Sequence, residues 1–597
     1  MPQGPTNIRH LVVASAFLMS VLLYLDRFCI SIAAIYIQQD LGLTDQQVGK
    51  MLGAFFLTYA LGQVPAGWLN DRFGSRRMLT LYILAWSLLT GLTGAAGAFG
   101  ALLLLRYGFG IAQAGAYPTA ASIVSKWVPL QTRGRASSII AVGGRVGGVV
   151  AMFATGYLLI WLTPASTPTS LEGKDILDGN LACVELAGRV DKDDAANRLR
   201  LEGLNHFSTE TRKFVKERAE VYRESLRAER ERLKAKGENP ENAVVVLDPL
   251  SEDRRAALAS ELNRIIETHP SPYRDSPGLS AISLEKEATR ILAKPASSVN
   301  EQQSRRLNRL VLEGLHRKSI KKLYVAGWRP MLFAYGSFGV VIAGLVWWSS
   351  RDVPARHPWC NAEEVALIRG DRSATDSESK KLGGVPLVPL LRSRSMWLCC
   401  ASQCFTNIGW IFLMTWAPRY FQSVHKVSVE ELALMVAIPP LVGWAGMLAG
   451  GGVTDWLVNR VGLRWGRGLP MSLSRFVAMA AYLACWASPS PWFAVAMFAI
   501  VAFSTDFGTP SVWAYMQDAG GRHVGSILGW GNMWGNFGAW LTPPVLIWIV
   551  GKAERWDLAF LTCAAAFLLS GLASAGINAT IPIVVDDDEA IAAEGVE

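Results

Sequence analysis

The sequence predicts an all-α polytopic membrane protein. Twelve transmembrane helices form two six-helix halves, with a large polar, mostly helical extramembrane insertion between helices 5 and 6. Three observations predict this. The 597 residues are 51% hydrophobic, and charge is sparse in many apolar runs while dense elsewhere. These runs are about 20 residues long, enough for a helix to cross a hydrocarbon core of roughly 30 Å, and a helix satisfies its own backbone groups there. Basic residues also concentrate in alternate short loops. Finally, one long charged stretch, 163–327, interrupts the apolar pattern.

Composition narrows the class. The 22 Trp suit either membrane interfaces or helix packing. A net charge of +9 in a soluble protein would suggest nucleic acid; here it reads as loop topology, and no nucleic-acid partner is expected. The apolar stretch after Arg9 is too long for a cleavable signal and leads into further spans. Cys399, Cys400 and Cys404 lie close together, but no His joins them, so they read as small buried hydrophobes. No metal and no cofactor is expected. Cys183 is alone in the insertion, which therefore has no internal disulfide.

The spans fall at roughly 11–35, 46–69, 77–98, 100–124, 136–161, 328–350, 395–418, 430–454, 468–487, 491–516, 524–549 and 557–582. Residues 1–162 make the N-terminal half with helices 1–5, 163–327 the insertion, 328–350 helix 6 and 351–394 a linker between halves. Residues 395–582 make the C-terminal half with helices 7–12, and 583–597 an acidic tail. Loops 70–77, 125–135, 351–394 and 455–467 are rich in Arg and Lys, whereas 36–45 holds Asp40 and Asp45. The positive-inside rule then places both termini in the cytoplasm. The expected location is the plasma membrane, a bacterial inner membrane, with the insertion on the outer, periplasmic side.

The insertion holds about half of the charged residues, with acidic and basic nearly balanced. Long loops cross regardless of charge, so it does not overturn the topology. In segment 210–236, Val215, Ala219, Tyr222, Leu226 and Leu233 recur at helical spacing on a charged surface. Further helices are expected near 252–267 and 302–322, punctuated by Pro and Gly near 237–240 and 270–278. His206, His269 and His316 have no ligand spacing.

One motif dominates: Gly67, Asp71, Arg72, Gly74, Arg76 and Arg77, in the order G-x-x-x-D-R-x-G-x-R-R between spans two and three. Gly67 permits close helix contact, Asp71 suits a helix N-terminus or a basic group, and Gly74 permits a tight turn. A weaker copy, Gly451, Asp455 and Arg460, follows span eight. The string resembles the signature of the major facilitator superfamily. The resemblance implies the major facilitator fold and a cytoplasmic latch between the halves, with Asp71 and Arg72 stabilising the state closed inside.

Charges within spans carry the chemistry. Asp26 and Arg27 lie in span one, Arg106 begins span four, Arg145 sits among glycines in span five, and Asp506 lies in span ten. Charge at that depth is costly and faces a wet cavity in most cases. Asp26 and Arg27 could instead be a structural ion pair, and Arg106 a snorkelling residue. Three Arg against two Asp favour an anionic substrate, because guanidinium binds carboxylate, phosphate and sulfonate as a planar fork.

The stretch from Tyr24 to Arg27, Tyr59, the Arg106 helix, the RDVPARHP segment after span six and LGWGNMWGNFG in span eleven resemble the anion:cation symporter family, which carries sugar acids and other organic anions. The resemblance implies that Asp26 takes part in proton coupling. It also implies that Arg27, Tyr59, Arg106 and Arg145, with Trp513 and Asn532, line the substrate site. Many members place a proton-carrying Glu seven residues after the fourth-span Arg; this chain has Gln113, which cannot titrate. Asp506 could supply a second carboxylate.

The expected function is secondary active transport of a small organic anion, a sugar acid or related carboxylate or sulfonate. Protons are the expected coupling ion, and the bilayer the expected partner. Protonation of Asp26 would release its hold on a neighbouring Arg. The alternatives are a facilitator or exchanger without proton coupling, or a transporter-derived sensor whose insertion binds an unknown partner. No Ser/His/Asp set, metal cluster or phosphate loop supports an enzyme, and no catalytic residue is assigned.

Overall fold

The structure, a computed structural model, describes all residues except 1–3, 165–166, 189–194, 236–242, 244, 246, 277, 280–281, 283, 317–318, 370–383, 426, 428, 487–489, 551–554 and 585–597. Part of the linker 351–394 and nearly all of the acidic tail therefore lie outside the described residues. The described chain is helical, and its β structure is a single isolated bridge between Ile176 and Ile320.

Six helices come first: α1 (Ile8–Leu41), α2 (Asp45–Phe73), α3 (Ser75–Thr93), α4 (Phe99–Ala114), α5 (Ala116–Trp127) and α6 (Arg133–Trp161). The inserted helices follow: α7 (Gly179–Leu186), α8 (Ala195–Asn205), α9 (Thr209–Ala235), α10 (Glu252–Glu267), α11 (Lys286–Leu292) and α12 (Glu301–Leu315). Then come α13 (Trp328–Ser349), α14 (Ala362–Arg369) and α15 (Leu387–Arg392). The last set is α16 (Arg394–Thr415), α17 (Ala417–Val424), α18 (Val429–Trp486), α19 (Pro491–Ala519), α20 (Val524–Val550) and α21 (Trp556–Ala575).

Among the described residues eight helical stretches are long and apolar enough to cross a membrane, one of them Leu434–Trp486, which is 53 residues long. That stretch covers two expected spans. Its backbone breaks at Gly462, whose φ of 79° is a conformation glycine adopts without penalty. The expected spans in α2, α3 and α20 fall short of that apolar measure. Gln, Asn, Gly and aromatic side chains dilute α2 and α20, and Arg76 and Arg77 open α3.

The chain divides into two compact units. The first, Met1–Ile32, Thr44–Gly156 and Arg329–Glu597, contains both sets of apolar helices. Its core includes Trp86, Phe109, Trp127 and Tyr515 in one cluster and Phe412, Phe421, Tyr482 and Phe498 in another. Four helix N-termini in this unit are closed by carboxylates from distant segments. Glu364 accepts from the Ile8 and Arg9 backbone N–H groups at 3.0 Å each, and Asp352 accepts from Arg76 N–H at 2.9 Å. Asp71 and Asp455 do the same for α20 and α6. Each satisfies donors that a helix leaves orphaned and sits at the positive end of its dipole.

The second unit is Ala33–Leu43 with Tyr157–Trp328. α9 and α10 cover the first two segments expected to be helical, and α12 covers the third only as far as Leu315, short of the expected 322. Val215, Ala219 and Leu233 are buried as their spacing predicts, whereas Tyr222 and Leu226 are half-buried. Leu258, Leu262, Leu307 and Val311 complete an apolar core. Arg309 and Glu313 form a buried pair at 2.6 Å, and Glu313 also accepts from Leu323 N–H at 2.8 Å. The end of α1 belongs to this unit. The Tyr36 hydroxyl donates to Glu285 at 3.4 Å, Gln39 accepts from Lys322 N–H at 2.8 Å, and Trp328 Nε1 donates to Asp40 at 3.1 Å.

Candidate functional site

The motif residues form two matching junctions. Asp71, at the end of α2, accepts from Gly525 N–H at 2.9 Å, Ser526 N–H at 2.8 Å and Ser526 Oγ at 2.7 Å, in the first turn of α20. Asp455, in α18, accepts from Gly134 N–H at 2.9 Å and Arg135 N–H at 2.8 Å in the first turn of α6. Four residues earlier on each acidic helix stands a glycine. A Cβ on Gly67 would overlap the Gly525 carbonyl, and a Cβ on Gly451 would overlap Ser138. Each helix pair thus crosses at a distance only glycine allows.

The basic motif residues lie elsewhere. Arg72 is exposed and lies over the rings of Trp68 and Phe73, while Arg77 is exposed. Arg76 donates to the Trp347 carbonyl at 2.9 Å and covers its ring. Arg460 lies over Trp456. Gly74, with φ 92°, turns the chain against the Asp352 carboxylate. At this junction the ion pair across the halves comes from Arg133, while Arg467 pairs with acids of its own half and reaches across to the Leu130 carbonyl at 3.1 Å; the sequence treats both as ordinary loop charge. Arg133 meets Asp518 at 2.6 Å; Arg467 meets Asp518 at 2.9 Å and Asp455 at 3.2 Å. All four side chains are buried. Asp71 thus takes part in a junction, whereas Arg72 lies against Trp68 and Phe73 of its own helix.

Between these junctions and the far ends of the helices lie the charged residues of the spans. Arg27 donates through Nε and Nη2 to the Gln113 carbonyl oxygen at 3.3 and 3.2 Å. Gln113 donates its NH2 group to the Leu23 carbonyl at 3.0 Å, so the amide orientation is fixed. The Arg27 guanidinium lies 5.0, 4.7 and 4.6 Å from the rings of Tyr24, Phe55 and Tyr59. Arg106 is buried beside Phe55 and Phe109, its Nε without a partner. No carboxylate pairs with Arg27 or Arg106 among the described residues.

Among the described residues Asp26 forms no ion pair with Arg27 or Arg106. It is buried, neither carboxylate oxygen has a hydrogen-bond partner, and Trp86 and Cys29 are its neighbours. Adjacent helical residues do not share a face. Asp26 and Arg27 therefore do not form the structural ion pair weighed from the sequence, nor does Asp26 hold a neighbouring Arg. Arg145 does have a carboxylate: its Nη2 meets Asp506 Oδ1 at 2.7 Å, joining α6 to α19, and its guanidinium lies over Trp410 at 4.7 Å.

Trp513 packs on Tyr117, ring centroids 4.9 Å apart. Tyr117 and Tyr24 in turn flank Gly144. Arg27, Tyr59, Arg145, Asp506 and Trp513 thus gather around two tyrosines, whereas Asn532 sits on α20, its carbonyl accepting from Asn536 at 2.8 Å. Sequence reasoning missed Arg475. This buried arginine of α18 donates to the Ser504 and Thr505 carbonyls at 3.4 and 3.0 Å and stands within electrostatic reach of Asp506. A lone Arg inside an apolar run was the available signal.

Among the described residues no group of His, Cys, Asp and Glu could hold a metal ion. The described cysteines are all free thiols.

Comparison with known proteins agrees with this geometry. The chain is 23% identical over 589 residues to the "Probable sulfoacetate transporter SauU" of Cupriavidus necator, covering 98% of this chain and 96% of that one. It is 22% identical over 570 residues to the "Probable galactarate/D-glucarate transporter GudP" of Escherichia coli, covering 92% and 89%. A bacterial homologue of the iron transporter ferroportin shares the fold, with a TM-score of 0.54 at 9% identity over 95% of this chain and 98% of that one. The relatives named for small organic anions are transporters rather than enzymes. The Major Facilitator Superfamily profile matches residues 16–167 and 323–543, leaving out most of the insertion, and the chain belongs to that superfamily of multi-pass membrane transporters.

Proposed function

We propose that this chain is a secondary active transporter of a small organic anion, a sugar acid or a related carboxylate or sulfonate. It works by alternating access across a bacterial inner membrane. In this reading twelve helices cross the bilayer, both termini are cytoplasmic, and 163–327 is an outer module. The observation that carries the proposal is the state of Arg27. Its partners are a neutral amide and three aromatic faces, so its full charge remains for a substrate anion. A guanidinium with its fork directed at an anion contributes about 1.5–3 kcal/mol per charge-assisted hydrogen bond. The paired carboxylate caps at Asp71 and Asp455 form the cytoplasmic gate, with Gly67, Gly451, Arg133, Arg467 and Asp518, and the halves part there to release substrate.

Proton coupling rests on Asp26, a buried acid without a cation beside it. A second reading, exchange or facilitated passage without protons, is favoured by one observation: Gln113 holds Arg27 where a titrating Glu would serve. Uptake of labelled galactarate, galactonate and sulfoacetate into proteoliposomes, with and without an inward proton gradient, separates them. Equal uptake in both conditions removes proton coupling. Full uptake by Arg27→Ala removes the anion site itself.

A further inference from the structure

The second charged cluster has an arithmetic that the first lacks. Arg145 and Arg475 both act on one carboxylate, Asp506. Only Arg145 is bonded to it; Arg475 donates to backbone carbonyls and to Ser474 Oγ, and its Nε has no partner. Oδ2 of Asp506 is likewise buried without a hydrogen bond. It fits against Gly443, where a Cβ would stand 2.7 Å from it. The exposures differ in the informative direction: the Arg145 side chain is 24% exposed and Asp506 3%. Arg145 is therefore the accessible member of the pair, while its carboxylate is buried. Tyr24 and Tyr117 flank Gly144, one residue from Arg145, and Tyr24 also stacks under Arg27. The two guanidiniums are thus separated by little more than a tyrosine pair.

Resting on the anion-transport reading above, we propose that the substrate is a dianion gripped at both ends. One acidic group binds Arg27, and the other takes Arg145 from Asp506, an internal counter-ion that then turns to Arg475. The physical reason is the cost of burial. A buried charge is tolerated when paired, and removing its partner is strongly unfavourable unless another partner arrives. A monoanion held at Arg27 leaves the Arg145–Asp506 pair intact and gains nothing from Arg145. A dianion supplies the replacement charge, and Arg475 receives the released carboxylate, so no charge is left unpaired. When the substrate leaves, Asp506 returns to Arg145 and restores the resting ion pair. The chemical class is a short chain bearing two anionic termini, carboxylate or sulfonate.

The test compares matched pairs on the purified full-length protein by calorimetry: galactarate against galactonate, and sulfoacetate against ethanesulfonate. The expected result is that a dianion binds at least tenfold tighter than its monoanionic partner. Asp506→Asn should tighten dianion binding several-fold and leave monoanion binding within twofold, while Arg145→Gln should erase the discrimination. In proteoliposomes Asp506→Asn should retain dianion exchange but lose net uptake, since the empty carrier keeps an unneutralised Arg145. Equal affinities within each pair, or an Asp506→Asn change of the same factor for both classes, would overturn the proposal. If Asp506→Asn elutes as aggregate, the wild-type pairs and Arg145→Gln decide alone. Absence of binding by all four probes would instead strike the organic-anion reading, a result distinct from parity between the classes.

Discussion

Asp71→Asn probes the gate most directly. Asp71 accepts three hydrogen bonds, at 2.9, 2.8 and 2.7 Å, from one helix end. Asparagine keeps one acceptor oxygen and turns an NH2 group toward a backbone donor. It also removes the negative charge from the helix N-terminus. The loss is about 1.5–3 kcal/mol for a charge-assisted bond and about 0.5–1 kcal/mol for the dipole. Together, roughly 2–4 kcal/mol moves the closed–open equilibrium about 30- to 700-fold. Electron–electron resonance between spin labels at exposed Arg77 and Arg464 would read it, with half-buried Cys360 and Cys404 replaced by Ser. The variant should gain a long-distance population that the parent lacks. Arg72→Ala is the control: Arg72 lies outside the hydrogen-bonded set, so its distances should match the parent. An unchanged distribution in Asp71→Asn, or an equal shift in Arg72→Ala, would refute the reasoning.

Other outcomes follow from the same geometry. Gly67→Val places a side chain in the Gly525 carbonyl; the gate should fail to close, and resonance distances should lengthen as in Asp71→Asn. Gln113→Glu sets an ionisable acid on Arg27. Anion affinity should then weaken as pH rises and the Glu ionises, by roughly tenfold or more for a charge interaction of about 1.4 kcal/mol, and recover on acidification; titrations from pH 5 to 8 read this. Glu313→Ala strands buried Arg309 and should destabilise the insertion by about 3–5 kcal/mol, seen as faster proteolysis within 163–327.

Glu287 in the insertion has its own pH dependence. Burial opposes its ionisation, but bonds from Arg306 and Tyr324 outweigh this and hold its carboxyl below the usual 4.5. Its stabilising contribution is therefore present above pH 4.5 and lost as pH falls through the lowered value. Protease protection of the insertion should drop in that acidic window, and Glu287→Gln should flatten the drop.

Much of this was legible in one dimension because membranes impose one-dimensional rules. Run length located apolar helices, and helical spacing picked out Val215 and Ala219 as core. The unit G-x-x-x-D was readable too, since both residues lie on one helix. What each Asp caps was not, because Gly525 and Gly134 are hundreds of residues away along the chain. The same distance hid the pairing of Arg145 with Asp506, although each was singled out. Arg133 and Arg467 read as solvated loop charges, Asp518 carried no signal at all, and only tertiary packing buries the three. The second copy of the motif is also longer. Gly74 follows Asp71 by three residues, whereas Gly462 follows Asp455 by seven. The extra four residues are about one helical turn, which preserves the face that carries the acid while blurring the string.

The distant carboxylate caps also bear on how the protein is made. Helix α1 waits for Glu364, α3 for Asp352, α6 for Asp455, and α20 for a residue already synthesised, Asp71. The first six helices therefore leave the ribosome and enter the bilayer with three of their starts open to water. They acquire these caps only as later segments emerge. A fragment ending after α13 would contain none of those three carboxylates, so biogenesis of the first half is completed by the arrival of the second.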